Sequence, residues 1–297
     1  MELSRFKKRR KIDYYGYLFL APAMFFFLTF VLYPMVKGIY LSFFRFRGRR
    51  QIFNGITHYT NLIGDEVFRK SMGNTILITF IAVPIVVILA MFIAINIYNK
   101  HAAVRSFFRG VFYIPAISSV VSVTVVWLWI YNPDFGILNY VLKSVGVIDK
   151  NVAWLGDSST ALYAIIAVLI TTSLGQPIIL YIAALGNVPT ELLESATIDG
   201  ANNWVLFRKI ILPLVKPTTL YIVVTTTINS FQIFALIQLM TAGGPNYSTS
   251  TIMYLVYETA ITLQEYGKAS AMGVILAIII GIISILQFKF LSNDVNY

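Results

Sequence analysis

The chain has no cysteine, and its two histidines, His58 and His101, stand far apart in polar segments. Without thiols there is no disulfide, no thiolate metal site and no cysteine nucleophile. Two isolated histidines also lack the clustered spacing of a metal site. Charge is scarce as well: 12% of 297 residues are charged and 58% fall in the hydrophobic set, with a mean hydropathy of +0.75. A water-soluble domain carries roughly twice that share of charge. Lipid is therefore the solvent for much of this chain.

What is present is a series of long apolar runs. Six are long enough to cross about 30 Å of hydrocarbon, which takes about 20 residues: near 16–36, 74–98, 108–131, 159–185, 216–240 and 268–290. None has a charge near its middle, where one would cost upward of about 2.5 kcal/mol. Spans of this length are helices, because a helix satisfies its own backbone in lipid. The runs are continuously apolar, without the alternation of a β-barrel. The expected fold is all-α, a polytopic membrane protein with six transmembrane helices over 16–297, after a basic tail at 1–15.

The net charge of +10 is concentrated partly in Arg5, Lys7, Lys8, Arg9, Arg10 and Lys11, directly before the first apolar run. That is the pattern of a cytoplasmic membrane flank rather than of a nucleic-acid surface. The run after it is too long for a signal peptide. The first connector, 37–73, is basic and aromatic, with Arg45, Arg47, Arg49 and Arg50. Between Asn132-Pro133 and Gly146 lies an amphipathic piece, 136–145, and 241–267 opens on Thr241-Ala242-Gly243-Gly244-Pro245.

The most informative connector is 186–215. Pro189 suits a helix start and Thr190 can cap it. Glu191 and Glu194 then fall in the first turns, where the helix dipole favours carboxylates. A continuous helix would place Leu193, Ala196, Thr197, Gly200 and Trp204 on one face. On residues alone this is either a plain surface helix or a docking element.

Glu194-Ser195-Ala196, then Asp199-Gly200-Ala201, Phe207 and Leu212-Pro213, resembles the EAA signature of ABC-importer permeases, with Ser195 where alanine is usual. Tyr113-Ile114-Pro115 with Trp127, Asn132-Pro133, Gly136 and Asn139 is similar to the third span and external helix of the carbohydrate branch. Gly243-Gly244-Pro245 and 267–271 resemble that branch's last external loop and sixth span, as in the first permease subunit of maltose, glycerol-phosphate or multiple-sugar importers. The likeness covers nearly all of 16–290. It implies a type I importer (MetI-like) fold, half of a heterodimeric channel in a bacterial or archaeal plasma membrane, with the N-terminus cytoplasmic. It also implies a second permease subunit, a dimer of ATPase subunits that binds ATP and magnesium, and an extracellular or periplasmic solute-binding protein. Contact with the ATPase would fall to Glu194, Ala196, Asp199, Gly200, Ala201 and Phe207. The chain itself has no phosphate-binding loop; Tyr266-Gly267-Lys268-Ala269 lacks both the first glycine and the final hydroxyl. No cofactor is expected in this chain.

Polar residues inside apolar runs mark packing or a solute path. Thr225, Asn229 and Gln232 recur at helical spacing in the fifth run; Thr171, Gly175 and Ile178 do so in the fourth; Ser118 and Ser122 align in the third, with Ser119 beside them. The serines read first as packing residues, whereas Asn229 and Gln232 carry carboxamides that need partners. By the resemblance, sugar contacts align with Thr171, Leu174, Gly175, Ile178, Thr225 and Asn229. Ala116 and Val120 are apolar where the maltose branch is polar, which bears on the choice of sugar. Trp127 and Trp129 suit either a sugar ring or an interfacial belt.

Three other functions compete. A gradient-driven carrier usually places an acid or histidine at mid-membrane, or shows inverted repeats with broken helices, and an intramembrane hydrolase needs a catalytic constellation within the spans; these runs hold no mid-span acid, no histidine and no such constellation. An ABC permease for a phosphate ester or peptide would share the signature, with the arginines of the first connector attracting anions.

Overall fold

The computed structural model describes residues 14–48 and 50–292, so the basic run at 5–11 and Arg49 lie outside the described residues. The fold is all-α with one small addition, a hairpin of β1 (Phe44–Arg47) and β2 (Arg50–Phe53) in the first connector. Gly48 takes a positive φ of 61° at the hairpin turn, a conformation that glycine adopts without strain.

Helix α1 (Tyr14–Phe27) runs through a π turn, Leu28–Leu32, into α2 (Tyr33–Leu41). After the hairpin, α3 (Thr57–Gly64) leads to α4 (Glu66–Tyr98), which starts about two turns before the expected 74. Then follow α5 (Ala102–Ile117), α6 (Val120–Ile130) and the amphipathic α7 (Ile137–Ser144). Next come α8 (Ala161–Ser173), α9 (Gly175–Gly186), α10 (Thr190–Ile198) and α11 (Asn203–Leu206). A second π turn, Phe207–Ile211, joins α11 to α12 (Leu212–Phe231). The chain closes with α13 (Ala235–Met240), α14 (Ile252–Tyr257), a third π turn at Glu258–Thr262 and α15 (Tyr266–Ser292).

Among the described residues, four helices are each long and apolar enough to cross a membrane: Gly16–Leu41, Glu66–Tyr98, Asn203–Phe231 and Tyr266–Leu291. The expected third and fourth spans are broken. α5 and α6 meet at 98°, and α8 and α9 at 41°, so six spans result if each pair counts as one. The first break sits at Ser118-Ser119, both in extended backbone; Ser119 Oγ accepts from Val121 N–H and so caps α6. Serine competes with the helix for backbone groups, which is why the helix stops there. The second break precedes Pro177, which lacks an N–H and crowds the carbonyl four residues back. The fifth span is also shifted: its helix begins at Asn203 and ends at Phe231, not at 240.

Both of the first two π turns precede a proline, Pro34 and Pro213, by two residues. The carbonyl each proline would crowd, on Phe30 or Lys209, lies inside the π turn, where the wider winding makes room for the ring.

α4 is the central strut, packing on α9 and α12, while α12 also packs on α15. Apolar layers follow: Ile78, Ala82, Ile165 and Ile237 in one, Val86, Ala90, Ile178, Ile182 and Val215 in the next. The first span is different, for its apolar window has no buried residue. It meets the rest mainly through α2 on α15, so nearly its whole surface is left for lipid or another chain.

Candidate functional site

The two ends of α4 define two faces of the molecule. At its N-terminal end, Lys70 Nζ donates to the Asn246 carbonyl at 2.6 Å, Asn74 Nδ2 to the carbonyls of Tyr247 (3.0 Å) and Ser250 (2.9 Å), and Ser71 Oγ to Ser250 Oγ at 2.8 Å. Ile252 N–H donates to Thr75 Oγ1 at 3.0 Å. This polar stripe of α4 pins the loop that carries Gly243-Gly244-Pro245. At the other end Asn96 and Asn99 border Leu193, Asn203 and Leu206. The connector 186–215 therefore lies opposite the hairpin and the glycine-proline loop.

Within that connector Pro189 takes the cap position and Thr190 is the first helical residue, with no side-chain cap. α10 stops at Ile198, and Gly200 adopts φ +83°. Gly200 N–H donates to Thr197 O at 3.0 Å and Ala201 N–H to Ala196 O at 2.9 Å. This is a Schellman end, in which a left-handed residue closes the helix. The helix is shorter than the wheel assumed, so Gly200 and Trp204 do not share a face with Leu193. Asn202 Oδ1 starts a new helix by accepting from Val205 N–H at 2.9 Å. The inward side of α10 is Leu193 against the apolar layer of Val86, Ile178 and Val215, with Ala196 half-buried. The outward side exposes Glu191, Glu194, Asp199 and two bare apolar groups, Leu192 at 48% and Ile198 at 86%. Trp204, 64% exposed, lies against half-buried Phe207 with ring centroids 5.7 Å apart.

The residues expected along a solute path divide into two groups. Leu174, Gly175 and Ile178 are buried within the chain. Gly175 is a point of close approach, since a Cβ there would lie 2.7 Å from the Phe112 carbonyl oxygen and 3.0 Å from Tyr113 Cα. Thr171, Asn229, Gln232 and Ser119 are exposed, and Thr225 is half-buried. Thr171 and Thr225 turn their hydroxyls onto carbonyls of their own helices, Val168 O and Tyr221 O, each at 2.8 Å. The carboxamides of Asn229 and Gln232 make no hydrogen bond among the described residues. Gln232 is the C-cap of α12 rather than a residue inside the span. Of the indoles, Trp127 packs on Tyr131 with centroids 5.2 Å apart, whereas Trp129 is 69% exposed.

Asn139 escaped the functional reading of single residues. It is 3% exposed; its Nδ2 donates to the Pro133 and Val152 carbonyls, and its Oδ1 accepts from Val152 N–H and Trp154 Nε1–H. Three of these four hydrogen bonds tie α7 to the loop before α8, and the fourth ties it to the loop after α6.

A bundle of broken and intact helices, long and apolar enough to cross a membrane, with a short element exposed on one face, is the architecture of a multi-pass membrane protein. Residues 67–296 match the family described as binding-protein-dependent transport system inner membrane component, and the chain belongs to that family. A probable ABC transporter permease protein of Bacillus subtilis is 34% identical over 93% of this chain and 96% of its own. The lactose transport system permease of Rhizobium radiobacter is 30% identical over 96% of each chain. The multiple sugar-binding transport system permease of Streptococcus mutans is 33% identical over 93% of this chain and 94% of its own. Among solved structures, a bacterial ABC transporter involved in import of the acidic polysaccharide alginate has a chain of the same fold. Its TM-score is 0.81 at 24% identity, covering 96% of this chain and 97% of that one.

Proposed function

We propose that this chain is the membrane-spanning permease subunit of an ABC importer for a carbohydrate, of oligosaccharide size. It forms one half of a translocation pathway with a second, homologous permease subunit. ATP and magnesium are bound by a separate pair of ATPase subunits, and the solute is delivered by a binding protein on the outer face. The observation that carries the reading is the exposed α10, with Glu194 beside bare Ile198, at the end of a glycine-closed helix. Similarity to permeases named for lactose and for multiple sugars supports the substrate class. In this reading α10 docks on the ATPase, with Glu194 meeting a basic group there, and the connector 186–215 and the N-terminus are cytoplasmic.

The test is uptake by the assembled importer. A charge-assisted hydrogen bond contributes about 1.5–3 kcal/mol, so Glu194→Ala should weaken ATPase association at least tenfold and abolish uptake while membrane insertion stays normal. Wild-type uptake in that variant would remove the coupling role. Sidedness is read separately in this cysteine-free chain: Arg47→Cys should react with an impermeant maleimide from outside, and Asn202→Cys should not.

A further inference from the structure

We propose that a polar cleft on the face opposite the α10 connector is a second binding subsite, for an uncharged sugar ring. The inference rests on the carbohydrate reading above and adds a site to it. The cleft, of ≈ 340 Å³, is walled by Arg45 and Phe46 of the hairpin, Asn54, His58 and Asn61 from the α3 segment, and Glu265 before α15. Small-molecule sites run from about 300 to 1,000 Å³, so this one is of single-ring size.

Its walls are fixed by a backbone contact that only glycine allows. A Cβ on Gly267 would overlap the Phe44 carbonyl and come within 2.9 Å of His58 Nε2. The hairpin thus lies directly against the start of α15. His58 Nε2 stands 3.1 Å from the same Phe44 carbonyl. A carbonyl only accepts, so Nε2 carries the proton, and in the neutral ring Nδ1 is left as an acceptor.

The chemistry of the free groups selects the ligand. The side chains of Arg45, Asn54, Asn61 and Glu265 make no hydrogen bond or ion pair among the described residues. Donors and acceptors are therefore both available, from a guanidinium, two carboxamides and a carboxylate. A ring hydroxyl both donates and accepts, so a mixed set suits it, whereas a phosphate or carboxylate ligand calls for donors alone. Charge balance agrees. Arg45 is offset by Glu265, and Lys268, at the cleft's edge, is already held by Asp65 at 3.0 Å. Phe46 adds an aromatic ring against which the C–H face of a sugar can lie.

The experiment uses the complete importer in nanodiscs without its solute-binding protein, and ligand-observed NMR with lactose, raffinose and maltotriose at millimolar concentration. At least one of them should bind. Binding should weaken at least tenfold in Asn61→Leu and in Glu265→Leu, with assembly unchanged by size exclusion. Absence of binding by all three overturns the subsite, as does binding unchanged in the two cleft variants. Should those variants bind sugar normally but lose stimulation by the binding protein, the cleft is a protein-docking surface and the proposal also falls. Whole-cell uptake of the same sugars separates the two readings: uptake without binding here removes only this subsite, while loss of both counts against the carbohydrate reading too.

Discussion

Lys268 Nζ donates to Asp65 Oδ2 at 3.0 Å across 203 residues of sequence, while Asp65 Oδ1 accepts from Phe68 N–H at 3.1 Å. One carboxylate therefore caps α4 and holds the start of α15 beside it. Burial pushes its proton affinity up, but Lys268 and the Phe68 and Val67 N–H groups outweigh that and hold the carboxyl below its ordinary value of 3.8.

The sign of the pH dependence follows. A lowered folded value means that the stabilisation is present above pH 3.8 and is lost as pH falls through the folded value. The pair is partly exposed, at 30% and 25%, so Asp65→Asn, which keeps an N-capping oxygen, should cost about 1 kcal/mol or less. Asp65→Ala also removes the cap and should cost about 0.5–2 kcal/mol more. Thermal unfolding of the assembled complex checks both. The gap between wild type and Asp65→Asn should close under acid; a gap that persists there would show that the pair is not its source.

The end of α10 yields a prediction about backbone, not space. Gly200 sits at φ +83° with nothing within 4 Å of where a Cβ would stand. Gly200→Ala should strain this helix end by about 1 kcal/mol and lower coupled ATPase activity. Gly200→Asn, which tolerates the left-handed region, should retain most of it. Equal loss in both variants would point instead to close approach by a partner chain.

The bundle and its connector were legible in the sequence because lipid demands long apolar runs and the signature fixes many spacings. Where the runs stopped was harder to read. Ser118-Ser119 sits in an apolar stretch and reads as packing, yet Ser119 caps a new helix and turns the chain by 98°. Pro177 carries the same information for the bend before α9. The division between exposed Asn229 and buried Ile178 depends on which neighbour covers each helix face, and spacing along one helix cannot supply that. Ser71, Asn74 and Thr75 lie at the edge of a span, where polar residues need no explanation; their partners in 246–252 are distant in sequence.

Gly175 separates a packing role from a solute-contacting one. It is buried, and the Ala116 methyl lies 3.1 Å from where its Cβ would be, in addition to the Phe112 carbonyl. Gly175→Ala should push α9 off α5 and cost about 1–3 kcal/mol, read as a lower unfolding temperature and less assembled complex. Normal stability with altered sugar preference would assign Gly175 to the solute path instead.

Asn229 should behave in the opposite way. Its carboxamide is exposed near the end of α12 and bonds nothing among the described residues, whereas Thr225, one turn before it, satisfies its hydroxyl on Tyr221 O at 2.8 Å. An amide facing lipid would leave its donors and acceptor unpaired, so it must meet either a wet path or a polar group of a neighbouring subunit. Asn229→Leu keeps similar size and removes the polar atoms. Since the chain's own packing makes no use of them, the variant subunit should insert and unfold as wild type does. If Asn229 lines the solute path, the complex should also assemble, and its ATPase should still respond to the loaded binding protein. Uptake should fall about two- to tenfold, the loss of one hydrogen bond worth about 0.5–1.5 kcal/mol, or the preference among sugars should shift. Failure of the complex to assemble would place Asn229 at the interface between permease subunits, and unchanged uptake with unchanged preference would remove it from the path.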